Sequence, residues 1–212
     1  LSGFLFLFWF NGKRLKHRIN YTEVAEMSIE KSIETRTIEQ RGLQAVDVAV
    51  VAVLLAVGAV LRMFVPPFAG ITPNFIIGMY CLAILLLRPN FAGIIGIGLV
   101  SAAVCMVTTK SVIPFLNFIS EPIGAVVAGL LALPKLETGI LKVVRPFVIT
   151  YLGTAASGFS YVAVMIYCLT ASGKGAPAFV ALSSVVLITA LANAVLVSVL
   201  YFPLKAALGR SR

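Results

Sequence analysis

The chain has 212 residues, of which 60% are apolar and only 12% charged, with a mean hydropathy of +1.03 and a net charge of +9. Soluble domains are nearer half apolar and a quarter charged, and a water-soluble fold of this size could not cover so much apolar surface. The basic residues lie in an N-terminal tail, in short loops and at helix ends, which excludes the basic face of a nucleic-acid-binding domain.

Residues 1–10 (LSGFLFLFWF) are apolar but too few to cross a bilayer, which takes about 20 residues. Charges follow this run instead of preceding it, the wrong order for a signal peptide. Residues 11–41 are polar and charged and contain MSIEKSIE from Met27. Two readings stay open for this tail: an over-extended gene model starting before Met27, or an interfacial anchor with a flexible segment. The chain thus divides into a tail, 1–41, and a membrane domain, 42–212.

Six apolar runs follow. The first reads as a helix from Ala45 to Val65, stopped by Pro66-Pro67 because prolines remove backbone donors and clash with the preceding turn. The second runs from Pro73, as a first-turn proline, to Leu87, and is short. The third covers Phe91 to Thr109 and the fourth Ile113 to Leu133, with Pro114 and Pro122 as bends. The fifth covers Leu141 to Thr170 and the sixth Ala178 to Ala206. The fold class is an all-α membrane bundle of about six spanning helices.

Placing both termini in the cytoplasm puts 14 Lys and Arg inside and 3 (Arg62, Lys110, Lys174) outside; without the tail the ratio is 7 to 3. Both ratios obey the positive-inside rule. A multi-pass protein of a prokaryotic plasma membrane is expected.

On helix 1, Ala45, Ala49, Ala52, Ala56 and Ala59 recur at steps of 4, 3, 4 and 3 and share one face. Small residues let helices approach closely where lipid supplies no hydrophobic drive. The stripe serves either packing within the bundle or docking to a separate subunit.

Polar residues gather toward the outer side. Arg62 ends helix 1, Asn74 opens helix 2, Thr108-Thr109-Lys110 ends helix 3, and Asn117 and Glu121 lie four apart on helix 4. A carboxylate at membrane depth costs a few kcal/mol unless paired or hydrated, so Glu121 is a functional candidate. It either forms an ion pair with Arg62 or Lys110, or binds an amine. Arg62 suits a carboxylate, which a guanidinium grips with two N–H groups. Phe68, Phe75, Phe115, Phe118, Phe159, Tyr161 and Tyr167 collect on the same side as an aromatic belt or as a stacking surface. Asn193 lies mid-span in helix 6, open to a ligand or a neighbouring helix. Asp47 sits at the inner end of helix 1, where the membrane edge explains it.

No GxxxxGK[ST] phosphate loop occurs, and the single histidine, His17, lies in the tail. Cys81, Cys105 and Cys168 lie in apolar runs without metal-ligand spacing. No metal centre, cofactor or catalytic constellation is expected, and the chain reads as a non-enzyme.

Residues 52–133 resemble the tryptophan-transport family, substrate-binding (S) components of energy-coupling-factor (ECF) transporters. The resemblance rests on the small-residue helix AVLLAVGAVLR, the Pro66-Pro67-Phe68 loop leading into Pro73-Asn74, and the hairpin at Pro89. It also rests on the glycine-rich third helix running into Thr108-Thr109 and on IPFLNFISEPIGAVVAGLLA with Pro114 and Asn117. It implies a ligand pocket open to the outside, formed by outer loops and outer helix halves. It also implies a membrane scaffold subunit and two cytoplasmic ATPases as partners, with the alanine face docking on the scaffold. The acidic position of the family pattern lies near Asn117; here the carboxylate is Glu121, displaced by about a residue and followed by Pro122. The function expected is uptake of tryptophan or a related small aromatic solute, with Arg62, Asn74, Asn117, Glu121, Tyr161, Tyr167 and Asn193 toward the substrate. The alternatives are an S component for a vitamin-like solute and a stand-alone secondary permease.

Overall fold

The computed structural model describes residues 42–65, 73–109, 111, 113–134, 139–175 and 179–210. The tail, the Pro66-Pro67-Phe68 loop and Lys110 lie outside them. Among the described residues, five helices are long and apolar enough to cross a membrane, and a sixth is apolar but short.

Helix α1 (Ala45–Phe64) opens on a capping box. The Gln44 backbone N–H donates to Asp47 Oδ2 at 3.1 Å, satisfying one of the donors that a helix start leaves free. Asp47 is buried, so its place is explained by this cap and not by exposure at a membrane edge. The buried face of α1 is Val51, Leu54, Leu55 and Gly58. A Cβ on Gly58 would stand 2.9 Å from Ile76 Cα, so α1 lies on the next helix at backbone contact.

That next helix, α2 (Phe75–Leu87), has 13 residues and spans about 20 Å, less than a bilayer core. It contacts all five other helices, and every residue from Ile76 to Leu85 is buried. The shortest helix is therefore the axis of the bundle. It starts at Phe75 instead of Pro73, and its N-cap residue Asn74 makes no side-chain cap bond. The Asn74 amide is engaged elsewhere, as described below. At the other end Arg88 adopts a left-handed conformation (φ 46°) ahead of Pro89, where the helix cannot continue.

Helix α3 (Phe91–Thr108) is capped by Asn90, whose side chain accepts from Gly93 N–H at 2.9 Å. The expected fourth run divides into a 3-10 turn, Pro114–Leu116, and helix α4 (Asn117–Ala132). Pro122 sits inside α4 and packs on α3: a Cβ on Gly98 would meet Pro122 Cα at 2.8 Å.

Helices α5 (Gly139–Ala171) and α6 (Phe179–Arg210) have 33 and 32 residues. At 1.5 Å per residue each is about 50 Å long, well beyond a hydrocarbon core of about 30 Å. The basic residues Lys142, Arg145 and Lys205 lie near the start of α5 and the end of α6. There Arg145 donates to the carbonyl of Ala132, satisfying an acceptor left free at the end of α4.

Candidate functional site

Five helices bring polar side chains to one place in the half of the bundle assigned to the outside. Arg62, in the last turn of α1, is half-buried. Its Nη1 donates to Asn74 Oδ1 at 3.2 Å and its Nη2 to Thr109 Oγ1 at 3.1 Å. One guanidinium thus ties the end of α1 to the start of α2 and the end of α3. Asn74 passes the connection on: its Nδ2 donates to Glu121 Oε1 at 2.9 Å. The other carboxylate oxygen, Oε2, accepts from Ser157 Oγ of α5 at 3.1 Å. Glu121 is only 1% exposed.

Asn193 on α6 holds this arrangement from behind. Its Nδ2 donates to the backbone carbonyl of Asn74 at 2.9 Å and also to Thr154 Oγ1 at 3.4 Å. Gly78 makes room for it, because a Cβ there would lie 2.9 Å from Asn193 Oδ1. At the bottom of the cluster Tyr80 is fully buried. Its hydroxyl lies beside Ser157 and Glu121 but forms a well-directed hydrogen bond with neither. The sulfur of Cys105 stands 3.4 Å from Asn74 Nδ2, a weak acceptor closing the α3 side.

The cluster therefore carries a guanidinium and a carboxyl group separated by one neutral amide. Arg62 reaches Glu121 through Asn74 and not as a direct ion pair, and the other candidate partner, Lys110, lies outside the described residues. A guanidinium and a carboxyl group held a side chain apart match the two ends of an amino-acid zwitterion.

A family model described as tryptophan transporter TrpP matches residues 44–209. The chain belongs to that family. No curated protein and no solved structure matches it. Membership makes this a multi-pass membrane transporter of the tryptophan class.

In this TrpP-family chain, four of the seven expected site residues form one network: Arg62, Asn74, Glu121 and Asn193. Asn117 is buried but points its amide at the Pro114 carbonyl, 2.6 Å away, where it closes the turn that starts α4. Tyr161 lies at the rim and ties the outer loop to α5, donating to the Ile113 carbonyl at 3.0 Å and contacting Ser111 Oγ. Tyr167 is 74% exposed and faces away from the network.

The alanine face resolves in the other direction. Ala45, Ala49, Ala52 and Ala56 are exposed, while Ala59 is half-buried against the core.

Sequence reasoning missed Tyr80, Thr154 and Ser157. Thr154 and Ser157 had a signal: with Thr150 they recur at steps of 4 and 3, one polar face on an apolar helix. Tyr80 had a weaker one, as the sole hydroxyl in α2.

Proposed function

We propose that the chain is the substrate-binding membrane subunit of a tryptophan uptake system energised by a scaffold subunit and two cytoplasmic ATPases. The observation that carries the binding half is the Arg62–Asn74–Glu121 relay. Asn74 offers a donor to Glu121 and an acceptor to Arg62, and free tryptophan offers the same two functions with full charges. Its ammonium displaces the Asn74 amide from Glu121, and its carboxylate displaces Asn74 Oδ1 from Arg62. Charge-assisted contacts replace neutral ones, which is the stronger arrangement.

Apolar side chains for an indole adjoin the same end of the bundle: Leu116, Met165 and Leu169 form a small buried cluster with Tyr161 packed against it. Asn193 fixes the Asn74 backbone and so acts as a positioning residue for the start of α2. The energising half of the proposal rests on the resemblance and on the exposed alanine face of α1, which suits close helix approach by a scaffold subunit.

Titration calorimetry of the purified protein tests the reading. Tryptophan binds, and Glu121→Gln weakens it at least tenfold. Absence of tryptophan binding, or a Glu121→Gln variant with unchanged affinity for every amino acid tried, removes the assignment. Uptake by cells lacking an energy-coupling module would favour the stand-alone permease.

A further inference from the structure

Glu121 is the only acidic side chain in α4, and among the described residues the one cation facing it is Arg62. The groups that hydrogen-bond its oxygens, Asn74 and Ser157, are neutral, as are the adjoining Cys105 and Tyr80. The ionisable groups facing it are Arg62 from α1, Tyr80 and Cys81 from α2, and Cys105 from α3. Helix α6 contributes Asn193, which is not ionisable. Of these only Arg62 is cationic, and its two N–H contacts go to Asn74 and Thr109. An ionised carboxylate at 1% exposure carries a desolvation cost that neutral donors return only in part. A buried hydroxyl with no well-formed partner, Tyr80 Oη, adjoins the carboxylate and provides an acceptor for a carboxyl O–H.

We propose that Glu121 is a proton-binding site, and that it exchanges its proton for the ammonium group of the incoming amino acid. In the ligand-free protein Glu121 is a neutral acid whose O–H points to Tyr80 Oη. On binding, that O–H bond breaks and its electron pair stays on the carboxylate. The proton leaves to water on the outer side, and the substrate ammonium keeps its three protons and pairs with the new anion. One proton departs per amino acid bound, so the ammonium takes over the proton's positive charge at Glu121, while the substrate carboxylate offsets the charge of Arg62. This rests on the ammonium-to-Glu121 contact proposed above, but the protonation of the empty site is testable without any ligand.

Infrared difference spectroscopy of the ligand-free protein against Glu121→Gln is expected to show one protonated-carboxyl band that the variant lacks. Glutamine keeps an acceptor oxygen and offers Tyr80 an N–H, so the variant resembles the neutral acid and is expected to fold. Adding tryptophan removes the band, with release of about one proton in weakly buffered solution. Affinity then tightens about tenfold per pH unit wherever the empty site holds its proton, and Glu121→Gln loses that slope. A ligand-free protein without the band overturns the proton site. A band that survives tryptophan binding, with no proton released, overturns the exchange. If the band is present and tryptophan does not bind at all, the tryptophan reading fails and the exchange with it, while the proton site stands.

Discussion

Gly124→Ala is the most informative single change in the bundle. An added Cβ would stand 2.7 Å from Ser157 Cβ and 2.9 Å from the Gly153 carbonyl oxygen, and would overlap the Tyr80 hydroxyl. Two of these neighbours cannot swing aside: one is backbone and one is the first atom of a side chain. Helices α4 and α5 must therefore separate, and the separation falls between Glu121 and Ser157, whose contact is 3.1 Å. Overpacking of this kind costs about 1–3 kcal/mol. For a domain of this size that is a loss of roughly 2–12 °C in Tm. Two alanine controls bracket the effect. At Gly96 a Cβ meets nothing within 4 Å, so Gly96→Ala is expected to leave Tm unchanged or slightly raised. At Gly129 the near atom is Ile94 Cδ1 at 2.5 Å, the end of a flexible side chain that can move, so the loss is intermediate. Thermal unfolding in one detergent, with tryptophan affinity measured in parallel, gives the order. Equal Tm values for Gly124→Ala and Gly96→Ala would refute the close packing of α4 on α5 at the site.

Three further substitutions separate the parts of the proposal. Arg62→Lys replaces a fork that reaches both Asn74 and Thr109 by a single ammonium, and is expected to weaken tryptophan binding about tenfold in calorimetry while leaving the protein folded. Tyr167→Ala removes an exposed ring and is expected to leave affinity within about twofold of the parent by the same assay, since the side chain lies outside the network. Ala56→Leu puts a bulky side chain on the exposed stripe of α1; tryptophan binding and Tm should be unchanged, while uptake by cells containing the energising subunits falls at least tenfold.

What could be read from the sequence follows from what membranes make visible. The five long helices were legible because run length maps directly onto bilayer thickness. Isolated polar residues in apolar runs were legible for the same reason, which is why Arg62, Asn74, Glu121 and Asn193 stood out before any contact was known. Pairing was not legible, because it depends on how each helix is rotated. Arg62 and Glu121 are a basic and an acidic side chain, yet Asn74 stands between them and forgoes capping α2 to do so. The alanine stripe was ambiguous because lipid and the bundle interior are equally apolar, so small residues do not say which one they face. The exposure of Tyr167 follows from helix geometry. Thr150, Thr154, Ser157 and Tyr161 recur at steps of 4, 3 and 4. At about 100° per residue they stay within one face of α5, and Tyr161 falls only about 40° from Ser157. Tyr167 lies ten positions beyond Ser157, about 80° from it on the wheel and farther still from Tyr161. Once Ser157 is seen to touch Glu121, that angle alone turns Tyr167 toward the outside of the bundle and keeps Tyr161 at the rim of the site.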